Sequence, residues 1–141
     1  MYPHWERRPE KMGEWFEALV ALARYLRGPD GCPWDRKQTS KDFAQFAVEE
    51  AGELVEACET SDNAHIAEEF GDTLFCLLAL SAAAEHEGRF DVTGALERAH
   101  AKMIRRHGHV FGEHEAETAE DALRVWQEIK KEERSRKDSE T

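Results

Sequence analysis

Four carboxylates stand at matching distances from one short polar break. Counted from Ser61, inside Glu59-Thr60-Ser61-Asp62-Asn63, Glu53 and Glu69 are each eight residues away, and Glu50 and Asp72 are each eleven away. This symmetry constrains the fold strongly, because it predicts an antiparallel helix hairpin with its acids face to face. At a rise of about 1.5 Å per residue, Glu50-x-x-Glu53 and Glu69-x-x-Asp72 form two facing rungs about 12 to 16 Å from the turn. Unit charges about 4 Å apart repel by roughly 1 kcal/mol in water and by about 4 kcal/mol near a protein surface. Protonation or a cation relieves that repulsion.

A solvated face is the ordinary reading of glutamates on a helix, but the helical wheel argues against it here. At about 100° per residue, Glu50 falls within the apolar arc of Phe43, Phe46, Ala47, Leu54 and Cys58, Glu53 borders that arc, and Glu49 lies outside it. On the following segment, Ile66, Phe70, Leu74, Phe75, Leu77, Leu78 and Leu80 cover nearly the whole circumference, so Glu69 and Asp72 open a stretch that reads as buried. No Lys or Arg lies between Asp42 and Ala84 to neutralise them, and an unpaired buried carboxylate is costly. A cation is the better account. Oxygen donors without Cys or His favour Mg²⁺, Mn²⁺ or Ca²⁺ over zinc, with Mg²⁺ first.

The rest of the chain reads as helices. Met12, Trp15, Phe16, Leu19, Val20, Leu22, Ala23 and Leu26 recur at helical spacing. Gly28 to Asp35, with two prolines and two glycines, stops that helix. Thr39 or Ser40 caps the next, to about Glu59, and Asp62 or Asn63 caps a third, to about Glu87, with Gly88 closing it. A fourth opens at Asp91 or Thr93 and runs to about His107. A fifth starts at Thr118 with Asp121 completing a capping box. The expectation is an all-α bundle of about five helices, one domain over residues 1–134, with a charged tail over 135–141 that frays.

The formal charge of −11 over 141 residues excludes broad contact with nucleic acid or an anionic membrane, and confines any phosphate site to a local basic patch. Cys32, Cys58 and Cys76 are odd in number and lack zinc-type spacing, which suits reduced thiols in the cytoplasm. Met1 to Lys11 has no apolar signal core, and the run Leu74 to Ala84 is too short to span a bilayer.

Several residues admit two readings. Glu49 is either a surface glutamate or the acceptor of a proton from an attacking water. Lys102, Arg105 and Arg106 either complement a helix C-terminus or bind phosphate. Trp34 and Trp126 either stack on a base or sit in the core, and Lys130 reaches either a phosphate or solvent. His107, His109 and His114 lack the helical spacing that commonly supports zinc. Glu97-Arg98-Ala99-His100 is the only Glu-x-x-His motif, which argues against a di-iron oxidase.

Together these segments resemble the MazG family of all-α nucleoside triphosphate pyrophosphohydrolases over most of the chain. Gly31-Cys32-Pro33-Trp34-Asp35 with Gln38-Thr39 resembles the loop before the family's metal-binding helix. Val48-Glu49-Glu50-Ala51-Gly52-Glu53 resembles its Glu-Glu-x-x-Glu motif, and Glu69-Phe70-Gly71-Asp72 its Glu-x-x-Asp motif. Lys102 to Gly112 resembles the basic segment, and Trp126 to Lys130 with Glu132-Glu133 the closing helix. Gly108 stands where family members often have Pro. The resemblance implies Mg²⁺-dependent cleavage between the α- and β-phosphates, with Mn²⁺ a substitute. Glu50, Glu53, Glu69 and Asp72 would hold metal; Lys102, Arg105 and Arg106 would contact phosphates; Trp126 and Lys130 would help form the nucleotide site. Trp34 is a further candidate for the substrate, and Glu49 is assigned as base by position, not by resemblance. Short members generally form dimers or larger assemblies. The alternatives are a relative acting on deoxyuridine triphosphate or phosphoribosyl-ATP, or a noncatalytic metal or nucleotide sensor.

Overall fold

The computed structural model describes residues 7–139, which form seven α-helices and no strand. Residues 1–6, where the segment read as lacking a signal core begins, and residues 140–141 of the charged tail lie outside the described residues. The chain divides into two compact units, Met1–Val92 and Thr93–Thr141.

The first unit holds α1 (Met12–Leu26), α2 (Pro33–Lys37), α3 (Ser40–Cys58) and α4 (Asn63–His86). Helix α4 is central, packing on both α1 and α3. Its second half is rich in alanine, and small side chains let helices approach closely. Val20 and Ala23 of α1 meet Leu78 and Ala82, flanked by Phe16, Leu19, Leu74, Phe75 and Val92. Phe43 of α3 meets Ala79 and Ala83, flanked by Phe46 and Leu80.

Local chemistry sets the helix ends. Thr39 and Asp42 form a reciprocal capping box, the Asp42 N–H donating to Thr39 Oγ1 at 3.1 Å and the Thr39 N–H to Asp42 Oδ2 at 2.9 Å. Asp62 accepts from the His65 N–H at the start of α4. At its other end Gly88 adopts φ +73°, and the Arg89 N–H donates to Ala84 O while the Gly88 N–H donates to Glu85 O. This is a Schellman cap, whose left-handed position suits glycine. The Ser40 N–H and Oγ both donate to Glu87 Oε1, at 3.2 and 3.1 Å, so the start of α3 is tied to the end of α4 and the pair is antiparallel.

Gly28 to Asp35 carries the signals of a helix stop, yet its end, from Pro33, forms α2. Pro33 takes the first helical position, where a missing N–H costs nothing. Arg27 Nη1 donates to Asp35 O and Gln38 O, and Arg36 Nη1 donates to Gly28 O, fixing the segment. Gly31 lies against the last turn of α1, where a Cβ would overlap the Leu26 and Tyr25 carbonyl oxygens.

The second unit holds α5 (Val92–Arg106, entering from its boundary residue), α6 (Gly108–Phe111) and α7 (Ala119–Ser139). Short α6 is the other helix beyond the five expected. Val125, Ile129 and Gly108 are buried. A Cβ on Gly108 would stand 2.7 Å from His114 Nδ1 and 3.1 Å from Ile129 Cδ1, so a side chain here would oblige those two side chains to shift. Thr118 Oγ1 accepts from the Asp121 N–H, capping α7. Helix α7 runs on to Ser139, past the point after Arg134 where fraying was expected, through residues that favour helix.

Candidate metal centre

Helices α3 and α4 carry the acids. One carboxylate oxygen from each of Glu50, Glu69 and Asp72 lies within 4.8 Å of the other two. Glu50 is half-buried, Glu69 is buried at 9% exposure, and Asp72 is exposed. The hairpin spacing thus brings three of the four expected ligands into one group. Glu53 stands outside that group, lining a hollow of ≈ 470 Å³ with Glu56, Ala57, Thr60, His65 and Glu69. Its carboxylate nevertheless acts on both Glu50 and Glu69. Burial pushes the Glu50 carboxyl up from its ordinary value, and Glu53, Asp72 and Glu69 push it further. Burial likewise raises Glu69, with Glu53 and Asp72 adding to it, while His65 opposes the shift. His65 Nδ1 stands 3.9 Å from Glu69 Oε1. One turn beyond Asp72, burial and the charges of Glu50 and Asp72 raise the Cys76 thiol.

Two observations test whether a cation fits. Glu50 Oε2 and Glu69 Oε2 are buried without a hydrogen-bond partner, and such an oxygen is costly to leave unmatched. The donors are all hard carboxylate oxygens of the kind that hold Mg²⁺ together with water. The residues fit a divalent cation.

Helix α4 is less covered than its composition suggests. Phe70 and Leu77 are 60% and 48% exposed, and on α3 Val48 and Val55 are 73% and 62% exposed. Glu49 is exposed, beside Glu50 but on the outer side of α3. Trp34 on α2 is half-exposed, its ring 5.5 Å from Phe46 and 6.1 Å, edge-on, from Phe43. It therefore joins an aromatic cluster while leaving part of its ring free.

In the second unit, Lys102, Arg105 and Arg106 end α5, while Trp126 and Lys130 sit on α7. Lys102 is exposed and Lys130 half-buried. The two arginines converge on Glu133. Arg105 Nε donates to Glu133 Oε1 at 2.6 Å, Arg106 Nη2 donates to Oε2 at 2.9 Å, and the Arg106 guanidinium lies 5.1 Å from the Trp126 ring centre. These bonds hold the Glu133 carboxyl down at about 2. Glu133 stands in the sequence as one of two adjacent acids near the end of the closing helix. The available signal was periodicity: Trp126, Ile129 and Glu133 follow a 3,4 spacing, which puts an acid on the apolar stripe of α7.

The MazG nucleotide pyrophosphohydrolase domain matches residues 38–111, which span both acidic motifs and the basic segment. The chain is 37% identical over 122 residues to the nucleoside triphosphate pyrophosphohydrolase of Escherichia coli K12, covering 86% of this chain and 46% of that protein. It is 35% identical over 130 residues to the nucleoside triphosphate pyrophosphohydrolase/pyrophosphatase MazG of Thermotoga maritima, covering 92% and 49%. It is 40% identical over 124 residues to the uncharacterized protein YabN of Bacillus subtilis, covering 88% and 25%. The chain thus spans a quarter to about half the length of these curated relatives. The crystal structure of a MazG-related protein from Thermotoga maritima superposes with a TM-score of 0.67 at 31% identity, covering 82% of this chain and 98% of that one. With the acidic hairpin, the all-helical fold and these matches in agreement, the chain belongs to the MazG nucleotide pyrophosphohydrolase family.

Proposed function

We propose that this chain hydrolyses nucleoside triphosphates between the α- and β-phosphates, giving a nucleoside monophosphate and pyrophosphate in a Mg²⁺-dependent reaction. The observation that carries this reading is the group of Glu50, Glu69 and Asp72, two members of which each keep a buried oxygen without a hydrogen-bond partner. Glu50, Glu69 and Asp72 would hold the cation together with Glu53, whose carboxylate acts on both Glu50 and Glu69. When bound, a divalent ion would draw charge from phosphoryl oxygens and make a water more acidic. Glu49 lies outside the buried set and so stays free to take the proton released as water attacks. Lys102, Arg105 and Arg106 would meet the polyphosphate, and Trp126, Lys130 and Trp34 would shape the nucleotide site. Residues 1–134 would work as one domain.

The reading extends to assembly and place. Val48 and Val55, like Phe70 and Leu77, are one heptad apart on their helices, so α3 and α4 each leave an apolar stripe uncovered. A second copy of the chain would cover these stripes. Free Cys32, Cys58 and Cys76 suit a reducing cytoplasm, and no described helix is long and apolar enough to cross a membrane. Clearing unwanted nucleotides from the pool is the role this chemistry suits.

The test is incubation of the purified chain with a panel of nucleoside triphosphates and Mg²⁺, with the products resolved. Monophosphate plus pyrophosphate, lost in Glu50→Gln and Asp72→Asn, is the expected result. Diphosphate plus phosphate, or undiminished turnover in both variants, would refute the assignment.

A further inference from the structure

His65 is the one basic side chain between Asp42 and Ala84. Its N–H donates to Asp62 Oδ1 at 3.1 Å, which pins the residue at the start of α4. Glu69 follows one turn later on the same face, the i, i+4 spacing at which two side chains of one helix grip a single ion. His65 Nδ1 lies 3.9 Å from Glu69 Oε1. A solvated ion pair is the ordinary reading of such neighbours, and the Arg105–Glu133 pair, closed to 2.6 Å, is an example in this chain. The gap at His65 is too wide for a hydrogen bond. It suits two donors that share an ion, since each would stand about 2.1 Å from it and so up to about 4.2 Å from the other. The same two side chains line the hollow of ≈ 470 Å³, with Glu53, Glu56 and Thr60 as further walls. Glu69 is buried and its Oε2 has no hydrogen-bond partner, whereas the His65 side chain is 45% exposed, so an ion reaches it from solvent.

We propose that His65 Nδ1 and a Glu69 oxygen are the protein ligands of a second cation site, in the hollow beside the carboxylate group, and that this site takes a transition-metal ion of the Zn²⁺ or Co²⁺ kind. Imidazole suits such ions, whereas Mg²⁺ takes oxygen donors and keeps its waters. The donor set therefore sorts the ions: the carboxylate group is for Mg²⁺, and the imidazole edge is for a softer one. Glu53 and Glu56, in the walls of the hollow, add the negative charge that a divalent ion needs. All of these residues lie on the α3–α4 hairpin and the site is complete within it. The inference goes beyond the proposed reaction and does not depend on it.

Two measurements on the metal-free full chain test it: calorimetric titration with Zn²⁺ and, separately, with Mg²⁺, and imidazole ¹⁵N NMR during the Zn²⁺ titration. His65→Gln should weaken Zn²⁺ binding about 100-fold, the upper end of what even an outer-shell partner of a metal is worth, and leave Mg²⁺ affinity within about twofold. Glu69→Gln should weaken both ions, because its carboxylate serves both sites. In the wild type, Zn²⁺ should shift the His65 Nδ1 resonance before those of the other histidines. Equal Zn²⁺ affinity in wild type and His65→Gln would overturn the proposal, and so would a first shift at another histidine or at His65 Nε2. An equal loss of Zn²⁺ and Mg²⁺ affinity in His65→Gln would overturn it too, since the ring would then only support the acids. If Mg²⁺ fails to bind while the Zn²⁺ results appear as expected, the Mg²⁺-dependent reading of the carboxylate group fails and the assignment of His65 stands.

Discussion

Leu77 and Leu78 are neighbours on α4, yet truncating them to alanine should have consequences of different kinds. Leu78 is 4% exposed and packs on Val20, Ala23 and Ala82. Removing a buried leucine side chain costs about 2 to 5 kcal/mol, depending on how far the site collapses. Its neighbours are held on helices, which limits collapse, so about 3 kcal/mol is expected, or about 10 °C in melting temperature. This loss should be the same at every protein concentration. Leu77 is 48% exposed, and full burial of a leucine is worth roughly 1.5 to 3 kcal/mol, so about 1 kcal/mol remains for a partner surface to capture. In a two-fold pair that contribution occurs twice, about 2 kcal/mol in all, so Leu77→Ala should weaken a dimer roughly 30-fold. Urea unfolding at protein concentrations spanning a hundredfold, with sedimentation equilibrium alongside, separates the two effects. A concentration-independent loss in Leu77→Ala as large as that in Leu78→Ala would refute the reasoning. So would a Leu78→Ala cost below about 1 kcal/mol.

Other perturbations test the charges and the packing. Glu50 and Glu69 titrate above their ordinary 4.5 in the folded chain, so the folded state binds their protons more tightly than the unfolded state does. Their contribution to metal-free stability is therefore greatest below 4.5 and falls as pH rises through the raised values; melting in EDTA should show that fall, and stabilisation by Mg²⁺ should grow over the same interval. Glu133 has the opposite sign: its contribution is full above 4.5 and is lost as pH falls toward about 2, so Glu133→Gln should flatten the acid limb of the stability profile. Gly108→Ala places a methyl 2.7 Å from His114 Nδ1 and should cost about 1 to 3 kcal/mol in chemical denaturation. His114→Ala in the same chain should recover part of that loss.

The hairpin was legible because its evidence is local and periodic. Positions of Glu50, Glu69 and Asp72 relative to Ser61 determine which sides of two helices meet once the turn is known, and Thr39, Asp62 and Gly88 mark the ends by their capping chemistry. Helix α2 was harder to see. Pro33 reads as a breaker along a chain and acts as an initiator only when the residues before it leave the helix axis, which the close approach of Gly31 to Leu26 makes happen. Charge pairing was harder still. Lys102, Arg105 and Arg106 look alike as a basic run, and their separate surroundings come from Glu133, 27 residues beyond Arg106.

The Ser40 to Glu87 contact gives the hairpin a second pin, opposite its turn. Two rods joined at both ends cannot swing apart at the middle, so the gap between their backbones is a fixed dimension and the acids are the adjustable parts. Fitting an ion then becomes a matter of reach, one carbon at a time. In such a frame Asp72 is the short jaw, and lengthening it to glutamate would crowd the opening as surely as shortening Glu50 to aspartate would leave it slack.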